Sequence, residues 1–295
     1  MKTHGLLRGI LTVGTVAVLL AQALAAQAAL ITVGPIDFND DSDYNNAASQ
    51  TTGLFRDFTT GASIARGNDV GGTLHTALNF TADNTLTVYD TTPADATVKN
   101  LITGNLTINA DVIIHTFDSN KAPGLVALLN EGTSKKGIVA YMSDGGSSDY
   151  LYITTVDQTG NYGSNLASLR MSSISEDVWY RLVMDVTISG DAITVSGKIY
   201  DHSTTTDPNS SATTQHTANS GSVHTLTYTG SLTTLGLDTT GTGEVGMDLN
   251  RGNGSVSFTN FKVEYTPEPA TMALMGLGGL CMGLARMRGR KIRIA

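Results

Sequence analysis

The clearest pattern along the chain is two-residue alternation. Between Leu106 and Phe117, Leu106, Ile108, Ala110, Val112 and Ile114 fall on one side, and Thr107, Asn109, Asp111, Ile113 and His115 on the other. Successive side chains of an extended strand point to opposite faces, so this spacing predicts a strand with one face on a core. Trp179 to Ile188 repeats it through Tyr180, Leu182, Met184, Val186 and Ile188. Ser189-Gly190-Asp191 then turns the chain into a run to Tyr200 with Ile193, Val195, Gly197 and Ile199 in phase, a hairpin by pattern and by turn chemistry. Similar runs predict strands over 31–38, 54–58, 73–80, 85–89, 124–129, 137–142, 150–156, 166–171, 223–228, 232–237 and 244–249. The polar, Thr/Ser-rich stretch His202 to Ser222 predicts a long exposed loop. In the last strand Val256 and Phe258 have one parity and Phe261, Val263 and Tyr265 the other, which predicts a β-bulge near Thr259-Asn260.

Both ends depart from this pattern. Lys2 and Arg8 precede the apolar run Gly9 to Leu20, and Ala26-Gln27-Ala28 follows as an A-x-A site for cleavage after Ala28; Ala23-Leu24-Ala25 offers a second site. Residues 1–28 therefore form an export signal, handled by the Sec machinery and signal peptidase. At the other end, Pro267-Glu268-Pro269 breaks regular structure, because both prolines fix φ and lack an amide donor. The uncharged run Ala270 to Ala285 then spans about 24 Å as a helix, short of the ~30 Å hydrocarbon core by an amount that snorkelling of flanking arginines offsets. Arg286, Arg288, Arg290, Lys291 and Arg293 follow, the basic cluster expected to stay cytoplasmic.

Motif, apolar helix and basic end, in that order, resemble the PEP-CTERM sorting tail over residues 266–293. The resemblance implies a Gram-negative bacterium that makes extracellular polysaccharide, transient anchoring in the inner membrane through the tail, and tail removal by an exosortase. It divides the chain into the signal, a body over 29–265 and a sorting tail over 266–295.

Charge sharpens the view of the body. Seven of the 18 Lys+Arg lie in the signal and in the basic end, so between residues 29 and 269, 11 cations face all 26 Asp+Glu, a formal charge of −15. Such a surface disfavours nucleic acid as a partner and suits divalent cations. The only cysteine, Cys281, is in the tail, so the body has neither disulfides nor a thiol nucleophile.

Many short strands in about 240 residues predict an all-β, two-sheet antiparallel jelly-roll sandwich flanked by a signal helix and a tail helix. Glu176-Asp-Val-Trp-Tyr-Arg-Leu-Val-Met-Asp-Val186 resembles the W-x-R-L strand of concanavalin A-like, laminin G-like domains. Gly254-Ser-Val-Ser-Phe-Thr-Asn-Phe-Lys-Val263 is similar to their closing strand, with Thr259 where an Asp is usual. The resemblance implies glycan or protein binding as a family tendency.

Catalytic patterns are sparse. Gly241-Thr-Gly243-Glu-Val-Gly246 has the letters of a dinucleotide loop but no periodic helix after it, and reads as a turn. The body histidines have no metal-ligand spacing and read as surface or strand positions. Neither G-x-S-x-G nor the paired carboxylates of concanavalin A-like glycosidases occur, and the body is expected not to be an enzyme. Calcium has two candidate loops, Asp37, Asn39, Asp41 and Asp43, and Asp144 with Asp149; solvated turns are the other reading of both. Glycan binding has Tyr141, Tyr150, Tyr152 and Tyr162, whose rings either stack on sugars or pair across strands. The expected role is a structural or glycan-binding component of exopolysaccharide or biofilm at the cell surface or in the matrix; the alternative is a glycoside hydrolase or lyase on the same fold.

Overall fold

The computed structural model describes residues 30–39, 55–57, 64–68, 75–81, 85–89, 104–115, 122–130, 136–144, 148–219, 221, 224–237, 243–250 and 255–267. In chain order the strands are β1 (Ile31–Ile36), β2 (Phe55–Asp57), β3 (Ile64–Asn68), β4 (Thr76–Phe80), β5 (Thr85–Tyr89), β6 (Gly104–Ile114), β7 (Ala122–Leu129) and β8 (Lys136–Asp144). They continue as β9 (Asp149–Asp157), β10 (Ala167–Arg170), β11 (Trp179–Ser189), β12 (Ala192–Asp201), β13 (Thr214–Gln215) and β14 (Leu226–Ser231), then helix α1 (Leu232–Leu235), β15 (Glu244–Asn250) and β16 (Val256–Pro267).

Among the described residues these strands form two antiparallel sheets. A nine-stranded sheet runs β13-β12-β11-β6-β16-β4-β3, with β1 on β16 and β14 on β12. A seven-stranded sheet runs β10-β9-β8-β7-β15-β5-β2. The alternating apolar residues of β6, β11 and β12 meet Ile138, Ala140, Met142, Leu151, Ile153, Val245 and Met247 of the other sheet in one core. Gly197 lies so close beneath Leu151 and Ala140 that a Cβ there would come within 3.3 Å of the leucine. All of these positions are excluded from water, which is the favourable term holding the sheets face to face.

The parity change in the closing strand is a real irregularity. Val256 to Phe258 pair with β4 and Phe261 to Tyr265 with β1, and between them Asn260 takes a left-handed φ of 53°. Both halves thereby keep their apolar side chains on the core.

Three expectations need correction. The run 232–237 begins as a helical turn, because Ser231 Oγ accepts the Thr234 amide and Asp191 Oδ1 accepts the Thr233 amide, and Gly236 ends it at φ 69°. Capping chemistry there outweighs the apolar alternation. The stretch 202–222 is not simply an exposed loop: it contains β13 and buries His202 and His216, since polar residues go inside when their bonds are met. His115 is also buried, so three of the body histidines are interior groups. Strand β3, with only Ile64 buried, had no alternation by which to find it.

After Gly243 the chain enters strand β15, which includes Gly246, and among the described residues no helix follows the Gly-rich motif; Gly241 and Thr242 lie outside the described residues. The closing strand reaches Pro267, the first residue of the sorting motif. Residues 1–28, including Ala26 and Ala28, lie outside the described residues, as do Glu268, Pro269, the apolar run 270–285 and the basic end. No described helix is long and apolar enough to cross a membrane.

Candidate functional site

The outer face of the seven-stranded sheet collects the four tyrosines singled out in the sequence. Register places Asp248, Gly124, Tyr141, Tyr152 and Ser168 side by side across β15, β7, β8, β9 and β10. Tyr141 stacks on Tyr152 with centroids 5.0 Å apart, Tyr152 on Tyr150 at 5.3 Å, and Tyr162 leans on Tyr141 at 4.5 Å. Tyr162 comes from the turn after β9. Asp157 Oδ1 fixes that turn by accepting the Thr159 amide at 2.8 Å and the Asn161 amide at 3.1 Å, and Asn250 Nδ2 donates to the Gly160 carbonyl. The missing side chain of Gly124 makes the room, since a Cβ there would stand 2.6 Å from Val139 and 3.1 Å from the Tyr162 hydroxyl.

Asp248 is wholly buried beside Tyr162, and neither of its oxygens completes a hydrogen bond of normal geometry. Burial pushes its carboxyl well above the usual carboxylate range; the Tyr162 hydroxyl and the Leu249 amide pull the other way without overcoming it. Burial first and the Asp248 charge second raise the Tyr162 hydroxyl well above the ordinary tyrosine value. The ladder ends at half-buried Tyr150, which has only Tyr152 as a ring neighbour among the described residues. Ser143 and Arg170 stand opposite it on the adjacent strands.

The outer face of the nine-stranded sheet is built differently. Asp111, wholly buried, accepts Arg181 Nε at 2.8 Å and Nη2 at 2.9 Å, meets His202 Nε2 at 2.9 Å, and accepts Asn260 Nδ2 at 2.9 Å. The pair with Asp111 raises the arginine above its ordinary value. The left-handed backbone of Asn260 aims its amide at this carboxylate. Beside the network lies a pocket of about 400 Å³. None of this was evident in the sequence, where residues 111, 181, 202 and 260 share no motif; the bulge at Asn260 was the one local sign.

Two further groups have the distances of a Ser-His-Asp triad. His115 Nδ1 is 3.2 Å from Asp177 Oδ1 and its Nε2 2.9 Å from Ser257 Oγ; His216 Nδ1 is 2.7 Å from Asp201 Oδ1 and its Nε2 2.9 Å from Ser172 Oγ. In both, the serine proton has another acceptor. Ser257, wholly buried, donates to Asn79 Oδ1 at 2.5 Å, and Ser172 donates to the Thr217 carbonyl at 2.8 Å. A serine held in this way is not activated for attack.

Of the calcium candidates, Asp37 and Asn39 bond to each other, and Asn39 also supplies its carbonyl to Arg66 Nη1. Asp149 Oδ2 accepts the Ile174 amide at 2.6 Å and ties the loop after β10 to β9. Asp41, Asp43 and the Asp144 side chain lie outside the described residues. No group of three potential metal-ligating side chains occurs among the described residues.

A search of curated proteins finds no match. Among solved structures, the chain is similar to a protein of unknown function from Shewanella oneidensis MR-1, with 11% identity and a TM-score of 0.45 over 83% of this chain and 89% of that one. It is also similar to peanut lectin with a 9-residue peptide, with 8% identity and a TM-score of 0.44 over 82% and 98%. A third likeness is to the family 7 alginate lyase A1-II′ in complex with substrate, with 15% identity and a TM-score of 0.37 over 69% and 82%. Residues 266–291 match the PEP-CTERM protein-sorting motif, so the chain carries the sorting signal of an exported, envelope-associated protein that an exosortase processes.

Proposed function

We propose that the body is a non-enzymatic saccharide-binding module, delivered by its tail to the cell surface or extracellular matrix of a Gram-negative, exopolysaccharide-producing bacterium, where it is a component of exopolysaccharide or biofilm. The observation that carries this reading is the tyrosine ladder. The pairing of β8 with β9 brings Tyr141, Tyr150 and Tyr152 into one stack, and Tyr150 closes it with a ring that, among the described residues, touches only Tyr152. Aromatic faces take the apolar faces of sugar rings, while Ser143 and Arg170 beside Tyr150 offer hydrogen bonds to hydroxyls.

What supports a non-enzymatic body is the state of its reactive groups. Asp111 is held by Arg181, His202 and Asn260, Asp248 lies beneath Tyr162, and both triad-like serines donate to other acceptors. Affinity electrophoresis against the producer's own polysaccharide tests the ladder: Tyr150→Ala and Tyr152→Ala are expected to abolish retardation, and unchanged retardation removes these residues. Labelling of Ser172 by a fluorophosphonate probe would overturn the non-enzymatic reading. Mass spectrometry of protein recovered from the medium tests delivery, where an intact Arg293 would contradict tail removal.

A further inference from the structure

The pocket on the outer face of the nine-stranded sheet has its own chemistry. Arg181, Lys262, Asn109, Asn209 and Asn260 line it together with Val183, and no carboxylate does. In a chain whose stretch 29–269 has a formal charge of −15, a wall of two cations and three amides with no carboxylate in it is a locally donor-rich surface. We propose that this pocket binds a carboxylate-bearing sugar, a hexuronate unit of an acidic polysaccharide. The inference rests on the reading of the body as a saccharide-binding module, but not on the tyrosine ladder.

Orientation supports it. Arg181 gives Nε and one Nη2 hydrogen to Asp111, so a rigidly held guanidinium keeps its remaining donors for the pocket. Asp111 lies wholly buried behind it, so a ligand meets the cation and not the carboxylate. Lys262 is paired with Glu264 at 2.5 Å, but both side chains are about one-third exposed, and a pair so exposed is readily exchanged for a ligand's carboxylate. Asn260 Nδ2 is fixed between Asp111, the Pro208 carbonyl and Asn209 Oδ1, which orients Asn209 and leaves its Nδ2 as a donor to hydroxyls. Asn109, half-buried on β6, supplies a second amide, and Val183 an apolar patch for the sugar's C–H face. A volume of about 400 Å³ falls within the ~300–1,000 Å³ of small-molecule sites.

Isothermal titration of the purified full chain with a galacturonate trisaccharide and with its neutral galactose counterpart tests the assignment. The acidic sugar is expected to bind roughly tenfold tighter, the weight of one charge-assisted hydrogen bond, with a preference that shrinks as salt rises from about 50 to about 500 mM. Lys262→Ala and Asn109→Ala are each expected to weaken it about fivefold without lowering Tm. Equal affinity for the two sugars, no heat with the acidic one at millimolar concentration, or unchanged binding by both variants overturns the proposal. Failure of the pocket and failure of the ladder have different signatures: loss of saccharide binding in Tyr150→Ala and Tyr152→Ala with Lys262→Ala and Asn109→Ala unaffected keeps the ladder and removes the pocket, and the reverse pattern keeps the pocket and removes the ladder.

Discussion

The two outer faces of the sandwich each bury an aspartate, and they solve that problem in opposite ways. On the nine-stranded sheet, each oxygen of Asp111 takes two bonds, supplied by Arg181, His202 and Asn260. On the seven-stranded sheet, Asp248 lies beside Tyr162 with no cation among the described residues that bonds it, and burial pushes its carboxyl well above the usual carboxylate range. The first face is a network of charges, the second a stack of neutral rings. The difference shows that two carboxyls buried to the same depth can be accommodated in opposite ways, one by several donors that include a cation, the other among neutral rings.

The comparison can be broken most forcefully at Asp111. Asp111→Ala leaves Arg181 without its counter-charge and His202 without its hydrogen-bond partner, and an unfolding titration in urea is expected to show a loss of about 3 kcal/mol, the low end for removing one partner of a buried pair because Arg181 is partly exposed. A loss under about 1 kcal/mol would make the network dispensable. Gly124→Ala attacks the other face through shape, pressing a methyl group against Val139 and the Tyr162 hydroxyl; overpacking of this kind costs about 1–3 kcal/mol, and the same titration reads it.

Asp248→Asn sharpens the contrast through pH. Because the folded carboxyl has a raised pKa, the folded state keeps a proton that the unfolded chain releases, so stability falls as pH rises through the window between the ordinary and the raised value. Tm measured against pH is expected to decline across that window in the native protein and to stay level in the variant; parallel curves would place the proton elsewhere. Tyr150→Ala should have the smallest effect on folding, about 0.5–1 kcal/mol for one exposed-end stacking contact, which makes any large loss of saccharide binding attributable to the ring itself.

Much of the architecture was legible because strands announce themselves through one buried face. The phases of β6, β11 and β12 were read residue by residue, and so was the bulge at Asn260. Helix α1 was misread because its capping partner Asp191 lies 42 residues from Thr233 in the chain, beyond the reach of a local pattern. The tyrosines were found as a group because strand register is nearly local: Tyr150 and Tyr152 alternate on β9, and Tyr141 sits on the neighbouring strand. The Asp111 network and both triad-like groups were invisible, since their members come from strands and loops separated by up to 149 residues.

By itself the sequence determined the sorting tail, the two-residue alternation and the acidic, cysteine-free composition between the ends, because each of these is a property of neighbours along the chain. Only the tertiary structure decided which polar residues are buried and with what charge. It set Tyr162 over Gly124 and Asp248, and joined Asp111 to Arg181, His202 and Asn260. Burial and pairing depend on groups that meet only after the sheets have closed, and electrostatics in the interior is governed by those meetings.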